Sequence, residues 1–153
     1  MQKILLATLL TLAVSTNLYG ENSDGGWSTD FEAAKRVSAE KKLPILANFS
    51  GSDWCGWCIK LDREVFSQKE FKEFARDNLV LFTADFPREK KQEEKTRRQN
   101  AELMKKYEVQ GFPTVLLLDA EGKVLARTGY ERGGASAYVQ HLKKLIPGHK
   151  DKQ

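Results

Sequence analysis

Cysteine is scarce in this chain: there are two in 153 residues, alongside two histidines, two methionines and four prolines. Each scarcity excludes something. Two cysteines cannot make the framework of a disulfide-stapled small domain. Cys55 and Cys58 also stand so close that a bridge between them would restrict the unfolded chain only slightly. Zinc needs four ligands, and His141 and His149 lie near the C-terminus at the wrong spacing for a finger, so no metal is expected. No histidine or methionine stands near the cysteines, which leaves copper delivery without support. The apolar run Ile4 to Val14 is about 11 residues long, too short for a comfortable membrane span. Charge of one sign is lacking too. The 25 basic and 21 acidic residues leave a formal charge of +4, with the basic side chains scattered among acidic neighbours. Nucleic-acid binding is not expected from such a pattern.

What is present suits one globular domain. Hydrophobic residues make up 41% and aromatic residues 10%, enough for a packed core. Met1-Gln2-Lys3 puts a positive charge ahead of the apolar run, and Leu18-Tyr19-Gly20 offers a small residue at a cleavage point. That order predicts a signal peptide over residues 1–20 and export to the periplasm. No cysteine follows the run, so a lipid anchor is disfavoured. Removing Lys3 with the leader lowers the charge from +4 to +3. Residues 21–26 read as a flexible leader, 27–147 as the folded domain and 148–153 as a polar tail.

Along the domain, Thr29 and Glu32 form a capping box that opens a helix to about Lys42. Pro44 to Phe49 reads as a buried strand, and Gly51-Ser52-Asp53 as a turn into a helix starting near Cys55. Ser67 with Glu70 looks like a second capping box that restarts this helix. Leu79 to Phe86 is a second strand. Residues 88–98 carry six basic and three acidic side chains and read as a solvated insertion. A short helix at Asn100–Tyr107 follows, then a hairpin of Thr114–Asp119 and Lys123–Gly129, then a helix from Ser136 to Ile146. Helices alternating with strands demand a parallel pair, and the hairpin adds an antiparallel one. The expected fold is α/β, with a mixed central sheet and helices on both faces.

The chemistry gathers at Trp54-Cys55-Gly56-Trp57-Cys58. A cysteine in the first turn of a helix lies near unpaired N–H groups and the positive end of the helix dipole. Both favour the thiolate, which is the attacking species. Cys58 is one turn further on, on the same side, so its sulfur can reach Cys55 and resolve a mixed disulfide. Two structural thiols, or a redox-dead domain that keeps the motif for binding, are the alternatives. Gly56 beside the pair marks a turn, which argues against plain core thiols. Gly111-Phe112-Pro113-Thr114 is a second signal, because proline cannot donate to a ladder and belongs at a strand start. An ordinary trans proline would satisfy that placement as well as a cis one.

Together these two segments resemble the thioredoxin superfamily over about Trp27 to Ile146. Within it, Gly51-Ser52-Asp53-Trp54-Cys55, the charged insertion after Asp85-Phe86-Pro87 and Asp119-Ala120-Glu121-Gly122-Lys123 look like the DsbH-type periplasmic reductases. The resemblance implies a thioredoxin-like fold, Cys55 as nucleophile, Cys58 as resolving cysteine and Pro113 as a cis-proline. It implies that the Phe112 backbone pairs with an extended substrate and that Trp54 packs beside the sulfurs. It leaves Trp57 as a docking side chain, with Gly56 and Gly111 as turn residues. One departure stands out. Asn48 takes the place of the buried aspartate that thioredoxins use to deprotonate the second cysteine, and asparagine cannot act as a base.

The expected activity is thiol–disulfide exchange with exported proteins, using no cofactor other than the cysteine pair. Gly56-Trp57 supplies no positive charge to stabilise the reduced form, and Lys60 is expected to point to solvent. This favours a reductant, recharged by a membrane-bound or soluble electron donor and acting as a monomer. An oxidase or isomerase, or a non-catalytic module docking through Trp57, Phe112 and the basic insertion, are the competing readings.

Overall fold

A computed structural model describes residues 26–149. The signal peptide expected over residues 1–20, most of the leader and the end of the tail lie outside the described residues. Helix α1 spans Phe31–Lys41 and is capped by Asp30, whose carboxylate accepts from the Ala33 N–H at 2.9 Å. The cap is therefore one residue later than the Thr29 expected from the capping box. Aspartate is as good a cap as threonine, and here Ser28 holds its backbone in place, accepting from the Asp30 N–H. Lys42 closes the helix in the left-handed region, at φ 56°.

Strand β1 covers Ile45–Ser50 and feeds, through residues 51–55, into helix α2 at Gly56–Leu61. A π-helical turn, Asp62–Phe66, continues it, and the Ser67 N–H donates to the Asp62 carbonyl at 2.8 Å. The chain does break near Ser67, as expected, but Ser67 does not cap the next helix. Its hydroxyl binds Asp62 Oδ2 at 3.0 Å, and helix α3, Lys69–Asn78, starts after Gln68 without a side-chain cap. Strand β2, Val80–Asp85, runs parallel to β1. Helix α4 is Glu94–Lys106, β3 is Thr114–Leu118, β4 is Val124–Thr128 and α5 is Gly134–Leu145.

The charged stretch is accordingly divided. Residues 94–98 are the first turns of α4, and only 88–93 form a loop. The helix begins six residues before the expected Asn100 because its early part is anchored by polar groups, which leave no apolar period. Gln99 accepts from the Phe31 N–H and donates to the Thr29 carbonyl, while Asn100 donates to the Asp85 carbonyl. Leu103 and Tyr107 bury only the later turns.

The sheet order is β2-β1-β3-β4, with β1–β2 parallel and the other two pairs antiparallel. Alternate residues of each strand feed opposite faces. Leu46, Leu81, Val115 and Leu117 pack under the π turn, α3 and α5. Ile45, Ala47, Phe49, Phe82, Leu116 and Leu118 pack under α1 and α4. This is the mixed, two-faced sheet the sequence predicts. Asn48 and Thr83, register partners in the β1–β2 pair, point to the same side as Leu46 and Leu81, and that is the side on which α2 carries Cys58. At the far end, Tyr107 donates to the Gly122 carbonyl at 2.7 Å. Gly122 has φ +82°, and a Cβ there would lie 2.9 Å from that hydroxyl.

Candidate active site

The β1–α2 connection is held from three directions. Trp54 N–H and Cys55 N–H both donate to the Gly51 carbonyl, at 3.3 and 2.9 Å, which folds the turn. Ser52 gives its N–H and hydroxyl to the two Asp85 oxygens at 2.9 and 2.6 Å, fastening the turn to the end of β2. Asp53 receives the backbone N–H groups of Arg88, Glu89 and Lys90 at 2.9 to 3.0 Å. Those donors, the Arg88 N–H first, favour the carboxylate and lower the Asp53 pKa from 3.8 to about 2.

This anchored turn presents Cys55 as the N-cap of α2. Its sulfur accepts from the Cys58 N–H at 3.2 Å and is bonded to the Cys58 sulfur, with the Cα atoms 5.2 Å apart. The two sulfurs therefore meet on one side of the helix, as one-turn spacing requires. In this oxidised form Cys55 is 8% exposed and Cys58 5%. An N–H aimed at the first sulfur favours its anionic form when the bridge is opened.

Aromatic side chains frame the pair. Trp54 is 37% exposed and Trp57 54%. The Trp54 indole donates to the Phe86 carbonyl at 2.8 Å and meets Phe112 edge-on at 5.9 Å, and Phe112 stacks on Phe86 at 5.1 Å. Gly51 lies directly under the indole: a Cβ there would be 2.5 Å from Trp54 Cε2. Trp54 is thus a tethered, partly exposed wall of the site. The Phe112–Pro113 peptide bond is cis. The β1–β3 register ends at Phe49↔Thr114, so Phe112 and Pro113 stand beyond the ladder. Thr114 ties the bend by donating to the Gly111 carbonyl at 2.7 Å. Gly56 is exposed in the first turn of α2, where a Cβ would meet nothing within 4 Å.

Lys60 does not simply point to solvent. Its ammonium lies 5.3 Å from the ring centres of both Trp57 and Tyr130 and 3.9 Å from a Glu64 oxygen, and Tyr130 donates to the other Glu64 oxygen at 2.7 Å. On the inner side, Cys58 opens on a cleft of about 600 Å³ shared with Asn48, Asp62, Thr83 and Asp85. Asn48 Oδ1 is buried there with no hydrogen-bond partner among the described residues. Among those residues no three histidine, cysteine or acidic side chains gather as a metal site would need.

Of the residues the sequence singles out, Cys55 is bonded to Cys58 and Trp54 meets Phe112 beside the cis Pro113, while Trp57 packs on Tyr130. The sequence marks Gly51 and Asp53 only as turn residues and does not point to Phe86 and Arg88. The one available signal was Asp53 itself, a short acceptor set two residues before the motif, where it can bind backbone N–H groups.

Two bonded cysteines a turn apart at a helix start, with Trp54 beside them set against the Phe112 of a cis-proline bend, define a thioredoxin-type dithiol site. The sequence matches the thioredoxin-like domain family over residues 31–146, and the chain belongs to that family. It is 40% identical over 151 residues to the disulfide bond reductase DsbH of Chlamydia pneumoniae, covering 93% of this chain and 90% of that protein. A solved DsbH oxidoreductase structure superposes with a TM-score of 0.74 at 43% identity, over 78% of this chain and 82% of that one. A thioredoxin from Thermus thermophilus, at 14% identity and TM-score 0.57 over 78% of this chain and 85% of its own, shares the fold.

Proposed function

We propose that the chain is an exported thiol–disulfide oxidoreductase that reduces disulfides in periplasmic proteins, with Cys55 as nucleophile and Cys58 as resolving cysteine. The observation that carries this reading is the pairing of the two sulfurs at the start of α2, the first of them receiving the Cys58 N–H. The likeness to a protein named as a disulfide bond reductase supports the reducing direction. So does the lack of a charged side chain between the cysteines. The leader over residues 1–20 supports export, and among the described residues no helix is long and apolar enough to cross a membrane.

The exchange runs in two steps. The Cys55 thiolate attacks one sulfur of a substrate disulfide; a Cys55–substrate bond forms, the substrate bond breaks and the departing thiolate takes a proton from water. Cys58 then gives up its proton to water and attacks Cys55. The mixed disulfide breaks, the second substrate thiolate leaves and is protonated, and Cys55–Cys58 forms. Two electrons pass from the protein to the substrate, and no cofactor beyond the pair takes part. Trp54, Trp57, Phe112 and Pro113 would receive the substrate segment, and a side chain at Gly56 or Gly111 would meet nothing within 4 Å. A membrane-bound or soluble donor would return the electrons.

Insulin reduction by dithiothreitol tests the reading. Wild-type protein should accelerate chain precipitation, and Cys55→Ser should abolish the acceleration. Absence of acceleration by the wild type would leave a docking module as the better account. Equilibration of the pair with glutathione then reads the direction, and a strongly oxidising potential would overturn the reductase assignment.

A further inference from the structure

Both tryptophans of the motif carry a cation, and the two cations differ. Lys60, over Trp57 and Tyr130, has Glu64 beside it, so its charge is already partnered within the fold. The Arg88 guanidinium lies over Trp54, its carbon 3.8 Å from the ring centre. Among the described residues no carboxylate stands within ion-pair distance of it. The nearby Asp53 is committed elsewhere, since its oxygens take the backbone N–H groups of Arg88, Glu89 and Lys90 and not the guanidinium.

The position is fixed from below. Gly51 lets the indole settle, the indole donates to the Phe86 carbonyl, and Asp53 pins the backbone of residue 88 to the turn that carries Cys55. A guanidinium set over an indole without a carboxylate partner keeps N–H donors for one, and a carboxylate is the acceptor that fits them best. The same loop carries Lys90 and Lys91 against Glu89 and Glu93, so its charge beyond Arg88 is balanced and the recognition falls to Arg88 itself.

We propose that Arg88 receives a carboxylate of the protein being reduced, so that substrates with an acidic residue close to the reacting cysteine exchange faster. The occupant is an extended segment of substrate running past Trp54 and Phe112. In an extended chain side chains two apart share a face, which places the acidic residue about two positions from the cysteine. This inference rests on the exchange activity at Cys55.

The test uses two short peptides, each with one cysteine blocked as a 2-pyridyl disulfide and flanked two positions away by glutamate or by lysine. Prereduced protein attacks the peptide sulfur, the bond to the pyridyl sulfur breaks, and pyridine-2-thione leaves and is followed by absorbance. The reading is the ratio of rates, glutamate peptide over lysine peptide, within each variant, so that differences in overall activity between variants cancel. The wild type should give a ratio of roughly three to five, the scale of one partly exposed ion pair. Arg88→Glu should invert the ratio and Arg88→Gln should bring it near one. Added salt should shrink the wild-type ratio. A wild-type ratio of one, or a ratio unchanged in both variants, would overturn the proposal. If the wild type released no thione from either peptide, the exchange reading itself would fall instead.

Discussion

The two sulfurs of the disulfide look out on very different surroundings. Around Cys55, polar groups are tied: the Trp54 indole to a carbonyl, both Asp53 oxygens to backbone N–H groups, Ser52 to Asp85. Around Cys58, the cleft holds an amide oxygen, Asn48 Oδ1, that is buried without a partner among the described residues. The attacking side is thus built for position. The resolving side has an amide at position 48, which cannot take the Cys58 proton, and the carboxylates on the same cleft are those of Asp62 and Asp85.

The largest effect that would break this contrast comes from Gly51. A Cβ 2.5 Å from the indole cannot be absorbed without moving Trp54, which then gives up its bond to Phe86. Gly51→Ala should therefore cost about 2 kcal/mol in urea unfolding, the usual scale for overpacking. A loss under about 0.5 kcal/mol would show the rim to be softer than its contacts suggest.

Next in size is Asn48→Asp. A carboxylate in the cleft can take the Cys58 proton, and burial raises its pKa towards the working range of a base. Stopped-flow decay of the mixed disulfide should speed up several-fold near neutral pH and slow again as that carboxyl is protonated. An unchanged rate would mean that proton loss from Cys58 is not limiting.

The smallest effect is at Asp53. Its folded pKa of about 2 lies below the 3.8 of the unfolded chain, so the unfolded state binds more protons between these values. The stabilisation it gives is complete above the unfolded value and is lost as pH falls from about 4 towards 2. Thermal unfolding scans in that window should show the wild type losing Tm more steeply than Asp53→Asn. Parallel slopes would detach Asp53 from the stability of the loop.

Much of the site was legible because it is local. Cys55 and Cys58 are brought together by helical spacing alone, and Pro113 announces a strand start through its missing donor. Asp53 and Arg88 are 35 residues apart, and the bond between them runs from a side chain to a backbone N–H. Composition and period carry no trace of such a contact. The early turns of α4 escaped for a related reason, since Gln99 and Asn100 fasten them through backbone groups of α1 and β2. The capping boxes show the limit of short patterns. Several side chains in a row at 28–30 can cap, and the geometry of the neighbouring strand decides among them.

The π turn at Asp62–Phe66 carries a consequence for how such chains can be lengthened or shortened. It inserts one residue into a helical run and lets consecutive side chains, Val65 and Phe66, both reach the interior. Deleting any one residue of this turn would restore an ordinary helix, but each residue advances a helix by about 100°. The part bearing Cys58 and the part docked under α5 would then be out of phase, and only one of them could keep its seat. Gaps in related chains should therefore fall in the 88–93 loop and spare this single turn.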